Sequence, residues 1–352
     1  MESVRRLRII GKHQETPDTA TFTLEAADEK ALPAYRPGQF LSLILYPHGK
    51  EIRRAYSFSS SPATDKALTI TVKRVVNGAA SNWLLDHVDA GDEVLSASVA
   101  GQFVLPAPLP RRLVYLAAGS GITPVMSHLK TLLATPEGPE ILLLYANRDS
   151  ANTIFKKQID DWQEQFPERF TCRYFFSREK NAAHSTFGHL NKSGFEEALH
   201  RFLGRRITGA HRRDTVFFLC APNALMRMAR MTLRVLDFPE KNIRQEFYQP
   251  VRQPALRTVD TTKTHTIRVV QGGEQFQFET FEGETILNAA LRQGIQLPYT
   301  CKAGVCLTCL AQCTGGQVDL VFAESTRREG SGAMINTCIG YAASKAVDLK
   351  LE

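Results

Sequence analysis

Three cysteines near the end of the chain, Cys301, Cys306 and Cys309, stand in the spacing C-x4-C-x2-C. A fourth, Cys338, follows after 28 intervening residues (310–337). Three thiolates on one tight loop and a fourth from a distant segment is the ligand spacing of a [2Fe–2S] cluster. Ala303 and Gly304 are small, so backbone N–H groups there can turn toward cluster sulfurs without a side-chain clash. Zinc sites draw on paired C-x2-C units, and this chain has one such unit. Cys313 lies in the alternating run Leu310-Ala-Gln-Cys-Thr and reads as a strand residue. Such a cluster moves single electrons, so the chain before it has to supply their source.

Two earlier stretches carry residue types suited to that task. In Arg54-Ala55-Tyr56-Ser57 a forked guanidinium can pair with a phosphate, and Tyr56, two residues on, can lay its ring on a flat heterocycle. The Ser57 hydroxyl can reach a ring nitrogen. Val72-Lys73-Arg74-Val75 then leads to Gly78-Ala79-Ala80-Ser81, a glycine turn into a helix start that suits a pyrophosphate. Alone, either tetrapeptide is weak evidence, and an exposed polar strand is the stronger reading. Further on, an apolar run at 113–118 enters Gly119-Ser120-Gly121-Ile122-Thr123-Pro124. This is a strand, a glycine turn and a proline at a helix start, placed like a dinucleotide loop but reading G-x-G-x-x-P. Asn147-Arg148, Ser177-Arg178 and Cys220-Ala221-Pro222 each follow a later apolar run, and in a parallel sheet all project to the ligand-binding edge. Arg178 is the candidate for a 2′-phosphate contact, which favours NADPH over NADH.

Positioning these residues takes three folded regions. Residues 1–108 read as an antiparallel β-barrel, with short strands at 19–24, 40–45, 54–59, 68–73 and 93–97 and a helix capped by Ser81. Residues 109–248 alternate apolar strands with helices, the pattern of a parallel α/β sheet. Residues 249–263 are polar, contain two prolines and read as a linker. Residues 264–352 give two strands, a helix, the cysteine loop and short strands.

Composition narrows the class. With 352 residues, two or three cores are expected. Seven cysteines, four of them committed to a cluster, leave no disulfide framework and point to a reducing compartment. No apolar run is long enough to span a bilayer and the N-terminus lacks a signal-peptide core, so a soluble, cytoplasmic protein is expected, with no membrane partner. The net charge of +7 is spread over scattered basic pairs, which argues against nucleic acid. The pairs at 205–213 and Arg327-Arg328 can steer an acidic protein partner.

Taken in order, R-x-Y-S, G-x-x-S, G-x-G-x-x-P, C-x-P and C-x4-C-x2-C…C resemble the ferredoxin–NADP reductase family fused to a plant-type ferredoxin. That domain order is similar to the reductase components of bacterial oxygenases. The resemblance implies a multidomain protein: a β-barrel flavin domain, a parallel α/β nicotinamide domain and a C-terminal β-grasp ferredoxin domain. It implies FAD, with FMN less favoured, together with NADPH or NADH and a [2Fe–2S] cluster on Cys301, Cys306, Cys309 and Cys338. Arg54, Ala55, Tyr56 and Ser57 would hold the flavin, with Ser57 near its reactive nitrogen. Val72, Lys73 and Val75 would line it, and Gly78, Ala80 and Ser81 would take its pyrophosphate. Gly119, Gly121 and Pro124 would form the dinucleotide loop, with Thr123 between the two rings and Cys220 against the nicotinamide. Ser57 and Cys220 are the candidate catalytic residues. Glu246 and Phe247 match the acidic-x-aromatic end of the second domain, with Phe247 near the flavin. Ala221 departs from the glycine usual after that cysteine. His189, in Phe187-Gly188-His189-Leu190, departs from the usual arginine. The implied activity is electron transfer from NAD(P)H to a partner oxygenase. The other readings are a reductase for a ring-hydroxylating oxygenase, a desaturase or a hybrid-cluster protein, and a metal-binding redox-sensing module.

Overall fold

The computed structural model describes residues 4–28, 32–182, 185–248, 258–299, 304, 308–322 and 325–351. The chain divides into two compact units, Met1–Tyr248 and Gln249–Glu352.

The first unit begins with six antiparallel strands: β1 (Arg5–Thr16), β2 (Thr19–Ala26), β3 (Phe40–Leu45), β4 (Ile52–Ser57), β5 (Leu68–Lys73) and β6 (Glu93–Ala100). Helix α1 (Ala79–His87) lies between the last two. The spatial order is β4-β3-β6-β1-β2-β5. Its two ends meet where Phe58, just past β4, bridges Ile70 of β5 and the Ser59 N–H donates to the Thr69 carbonyl at 2.9 Å. The sheet thus curls toward a barrel around Leu7, Ile9, Phe22, Leu24, Leu41, Leu43, Phe58 and Ile70. β1 is absent from the strands expected above, although Leu7 and Ile9 alternate with Arg6 and Arg8 in the period of a half-buried strand. Ser81 does not cap α1. The cap position is Gly78, and the Ser81 hydroxyl accepts from the Val75 N–H at 3.1 Å instead.

The second sheet of this unit comprises β7 (Arg112–Ala118), β8 (Glu140–Asn147), β9 (Phe170–Phe176), β10 (Ser185–Phe187), β11 (Thr215–Cys220) and β12 (Ile243–Gln245). Helices α2 (Ile122–Leu133), α3 (Lys156–Gln165), α4 (Lys192–Leu203), α5 (Gly209–Asp214) and α6 (Asn223–Val235) connect them. All pairs are parallel, in the order β10-β9-β8-β7-β11-β12. The continuous apolar runs follow from burial on both faces. Leu113, Tyr115 and Ala117 pack toward α2 and α3, while Val114 and Leu116 pack toward α4 and α6. Strand order reverses beside β7: β8, β9 and β10 run off to one side and β11 returns on the other. That is the switch point at which α/β sheets bind ligands.

The second unit is built from β13 (Asp260–Gln271), β14 (Glu274–Glu282), α7 (Ile286–Arg292), β15 (Leu310–Gly315), β16 (Val318–Phe322), β17 (Ser325–Glu329), β18 (Met334–Asn336), β19 (Gly340–Ala342) and β20 (Ala346–Leu351). One sheet is ordered β14-β13-β20-β15-β18 and a smaller one β17-β16-β19. The parallel pair β13 and β20 lies inside the five-stranded sheet, and Ile286, Leu287, Ala289 and Ala290 of α7 share a core with Ile267, Val269, Val347 and Leu349, a β-grasp arrangement. β13 begins at Asp260, inside the stretch read as a linker. Cys313 sits in β15 as expected.

Candidate functional site

The switch point brings the dinucleotide-like loop and Cys220 together. β7 and β11 pair in parallel with Cys220 opposite Ala117, so the turn after β7 lies against the end of β11. Gly121 is required there by close approach. A Cβ on it would stand 1.9 Å from the Cys220 carbonyl oxygen and 3.3 Å from its sulfur. Thr123, in the first turn of α2, donates its hydroxyl to the Ser120 carbonyl at 2.8 Å and is buried, as is Pro124. Burial, and behind it the Glu246 carboxylate, push the Cys220 thiol well above its ordinary range. The sulfur is therefore a neutral thiol, not a nucleophilic thiolate.

The end of the first unit closes over this point. The Glu246 N–H donates to the Leu219 carbonyl at 3.0 Å, which anchors the segment to the end of β11. Ser57, at the end of β4, donates its hydroxyl to Glu246 Oε1 at 2.9 Å. The Tyr248 phenol donates to Ser57 Oγ at 2.6 Å, and the Thr123 side chain faces the same phenol. Glu246 Oε2 is buried with no hydrogen-bond partner. Its desolvation raises the carboxyl pKa from an ordinary 4.5 to about 8, opposed by the Ser57 bond. An unpartnered carboxyl oxygen beside a serine and a thiol, where barrel and α/β sheet meet, fits the polar edge of a heterocycle. Phe247 and Tyr248 are both exposed, at 44% and 38%, and it is Tyr248 that makes the contact to Ser57. Tyr248 is absent from the sequence-derived set. Its signal is the second aromatic in Glu246-Phe247-Tyr248.

The other sequence-derived residues spread along the barrel and the sheet edge. Arg54 is exposed and turns an Nη1 donor to the Arg53 carbonyl at 2.7 Å, so its guanidinium stands at the surface beside half-buried Tyr56 and Ala55. Val72 is buried, Lys73 pairs with Asp18 at 3.3 Å and Val75 is exposed. No side chain caps the N-terminus of α1, where Ala80 and Ser81 are buried, so its first N–H groups suit an anion. At the sheet edge the Ser177 N–H donates to the Asn147 carbonyl at 3.1 Å and the Arg178 N–H to the Arg148 carbonyl at 2.8 Å. Two exposed guanidinium groups are thus rooted on adjacent strand ends. Asn147 Nδ2 is buried without a partner, and exposed Pro222 caps α6. A separate cleft of about 620 Å³, lined by Glu15, Ser59, Thr69, Lys130 and Thr153 among others, includes none of these residues.

In the second unit Cys309 and Cys338 are buried with their sulfurs 3.2 Å apart. That is longer than a disulfide bond of about 2.05 Å and close enough to share one metal centre. The Gly304 N–H donates to Cys338 Sγ at 3.2 Å, and Asn336 Nδ2 stands 3.9 Å from Cys309 Sγ, as donors to cluster thiolates do. A Cβ on Gly304, whose φ is +71°, would stand 2.5 Å from Ile339 Cδ1. Cys301 and Cys306 lie outside the described residues. Arg328 pairs with Asp319 at 2.7 Å, which mutes part of the charge proposed to steer a partner.

Three family profiles match the chain in order. They are an oxidoreductase FAD-binding domain at residues 6–104, an oxidoreductase NAD-binding domain at 115–231 and a 2Fe-2S iron-sulfur cluster binding domain at 269–343. The chain is 31% identical over 324 residues to one of the subunits of 1,2-phenylacetyl-CoA epoxidase from Escherichia coli, covering 90% of this chain and 89% of that one. It is 30% identical over 365 residues to the ferredoxin reductase component of 3-ketosteroid-9-alpha-monooxygenase from Mycolicibacterium smegmatis, covering 99% and 97%. Phthalate dioxygenase reductase, a modular structure for electron transfer from pyridine nucleotides to [2Fe-2S], superimposes with a TM-score of 0.63 at 23% identity, covering 99% of this chain and 98% of that one. No helix among the described residues is long and apolar enough to cross a membrane.

Proposed function

We propose a separate oxygenase component as the electron acceptor of this chain, which belongs to the family of oxygenase reductases carrying FAD-binding, NAD-binding and [2Fe–2S] domains in that order. It is an NAD(P)H-dependent flavin and iron–sulfur oxidoreductase. FAD, when bound, takes a hydride from NAD(P)H and releases electrons singly, the form a [2Fe–2S] cluster carries. The carrying observation is the cluster of contacts that brings Ser57, Thr123, Cys220, Glu246 and Tyr248 together.

In this reading Arg54, Tyr56 and Ser57 hold the flavin, with Ala55, Val72, Lys73 and Val75 beside it. Gly78, Ala80 and Ser81 receive its pyrophosphate at the open start of α1. Gly119, Gly121, Thr123 and Pro124 receive the dinucleotide, with Asn147, Arg148, Ser177, Arg178 and Pro222 along its edge. Ser57, held between Glu246 and Tyr248, presents its hydroxyl at a fixed point. The neutral Cys220 thiol fills the floor and keeps water out. Cys301, Cys306, Cys309 and Cys338 ligate the cluster. The adjacent Arg148 and Arg178 favour the 2′-phosphate of NADPH.

The acceptor of first choice is the oxygenase of a phenylacetyl-CoA epoxidase. The similar coverage of the ketosteroid reductase supports a ketosteroid oxygenase as the second reading. The test supplies purified chain, with NADPH or NADH, to each oxygenase and follows substrate oxygenated per dinucleotide consumed. Coupled turnover with the epoxidase supports the first reading. Coupling only to the steroid enzyme replaces it, and absence of flavin reduction by either dinucleotide removes the whole assignment. Cys338→Ser should leave flavin reduction intact and abolish delivery to either acceptor.

A further inference from the structure

We infer that helix α2 is the strut that sets the gap between the flavin-holding strand and the dinucleotide loop, and that Ser127 and Thr131 are its positioning residues. The inference rests on the assignment of Ser57 and Thr123 to that gap.

α2 begins at the dinucleotide loop and is buried along most of its length, and one face carries buried Ser127 and His128 and then Thr131. All three grip the barrel. The Ser127 hydroxyl donates to the Ser60 carbonyl at 2.5 Å. The Thr131 and Ser61 hydroxyls bond at 2.7 Å. His128 Nε2 lies 3.2 Å from the Pro37 carbonyl, its Nδ1 3.3 Å from the Tyr115 hydroxyl, and its ring stacks on Phe103 at 5.6 Å. A neutral imidazole satisfies both polar contacts by donating from Nε2 and accepting at Nδ1. Lys130 adds an ion pair to Asp65 at 3.1 Å.

The geometry ties these grips to the reacting gap. Thr123 and Ser127 are one helical turn apart on the same face, about 6 Å along the axis. On the other side, Ser60 follows Ser57 by three residues, and both are buried. The Ser127 bond is therefore a short crosslink between the segment that presents Thr123 and the segment that presents Ser57. Hydride transfer is sensitive to such placement, since about 1 Å of displacement costs about 100-fold in rate. Neither Ser127 nor Thr131 needs to touch a cofactor to exert this control.

The test compares Ser127→Ala, Thr131→Val, the double variant and Thr131→Ser, which keeps the hydroxyl. Three quantities are measured: Kd for NADP+, the anaerobic single-turnover rate of flavin bleaching by saturating NADPH, and hydrogen exchange at residues 58–65 in protein stripped of FAD. The double variant should bleach about 10- to 100-fold more slowly. Its Kd and FAD content should stay near wild type, with faster exchange at 58–65, while Thr131→Ser behaves as wild type. An unchanged bleaching rate overturns the inference. So does a weakening of NADP+ binding or FAD retention that tracks the rate, which marks general loosening. If the double variant does not fold, Thr131→Val against Thr131→Ser decides on the same readings. A wild-type chain reduced by neither dinucleotide defeats the proposed function itself. A wild type that is reduced, with variants equally fast, defeats only the strut.

Discussion

Replacing Glu246 by glutamine should flatten one limb of the protein's stability against pH. In the folded chain the carboxyl pKa is raised from 4.5 to about 8, chiefly by burial, with Ser57 opposing. Below pH 4.5 the group is protonated folded and unfolded and favours neither state. Between 4.5 and about 8 the folded chain keeps a proton that the unfolded chain releases, so stability falls as pH rises. Above that interval the full penalty persists. At about 1.36 kcal/mol per unit, the interval bounds the loss at about 5 kcal/mol. Glu246 is only partly removed from solvent. Screening reduces the expected loss to about 2–3 kcal/mol, or about 4–12 °C in Tm for a unit of this size. The glutamine side chain keeps an acceptor for Ser57 but places an amide donor where Oε2 has no partner, a pH-independent cost of about 1–3 kcal/mol. The quantity to read is therefore the change in the Tm difference between wild type and variant from pH 5 to pH 8.5, with and without added FAD. Wild type should lose about 4–12 °C relative to the variant across that range. Parallel profiles would refute the claim that this carboxyl is desolvated and uncompensated.

Two further changes probe the close approaches. Gly121→Ala drives a Cβ to 1.9 Å from the Cys220 carbonyl oxygen, backbone against backbone, so the loop must shift. NADPH-driven flavin reduction should fall about 100-fold while the iron–sulfur absorbance stays, and an unchanged kcat/KM would show that the loop does not seat the dinucleotide. Gly304→Ala combines a φ of +71° with a contact of 2.5 Å to Ile339 Cδ1. It should cost about 1–2 kcal/mol from the left-handed backbone alone and lower the iron bound per chain, and full iron content would remove Gly304 from the thiolate cradle.

Legibility in the sequence tracks how locally each feature is determined. The parallel sheet can be read because β7, β8, β9 and β11 are buried on both faces and spell continuous apolar runs. The cysteine loop can be read because a metal fixes its ligands by spacing. β1 escapes notice because its apolar alternation is confined to Leu7 and Ile9 within a strongly basic stretch. The Ser81 cap fails because the helix cap lies three residues earlier, at Gly78, and the Ser81 hydroxyl closes the preceding turn by accepting from the Val75 N–H. The site is least legible where residues far apart in sequence meet. Ser57 and Tyr248 are 191 residues apart, and no periodicity links them. Ser127, His128 and Thr131 lie between. Polar residues at i, i+1 and i+4 on the packed face of a largely buried helix signal that this face meets a polar partner. That partner, the Pro37 and Ser60 carbonyls and the Ser61 hydroxyl, comes from loops flanking β3 and β4 of the barrel. Local pattern thus identifies what each half of the crevice can bind, and the contacts that set the spacing between the halves arise only on folding.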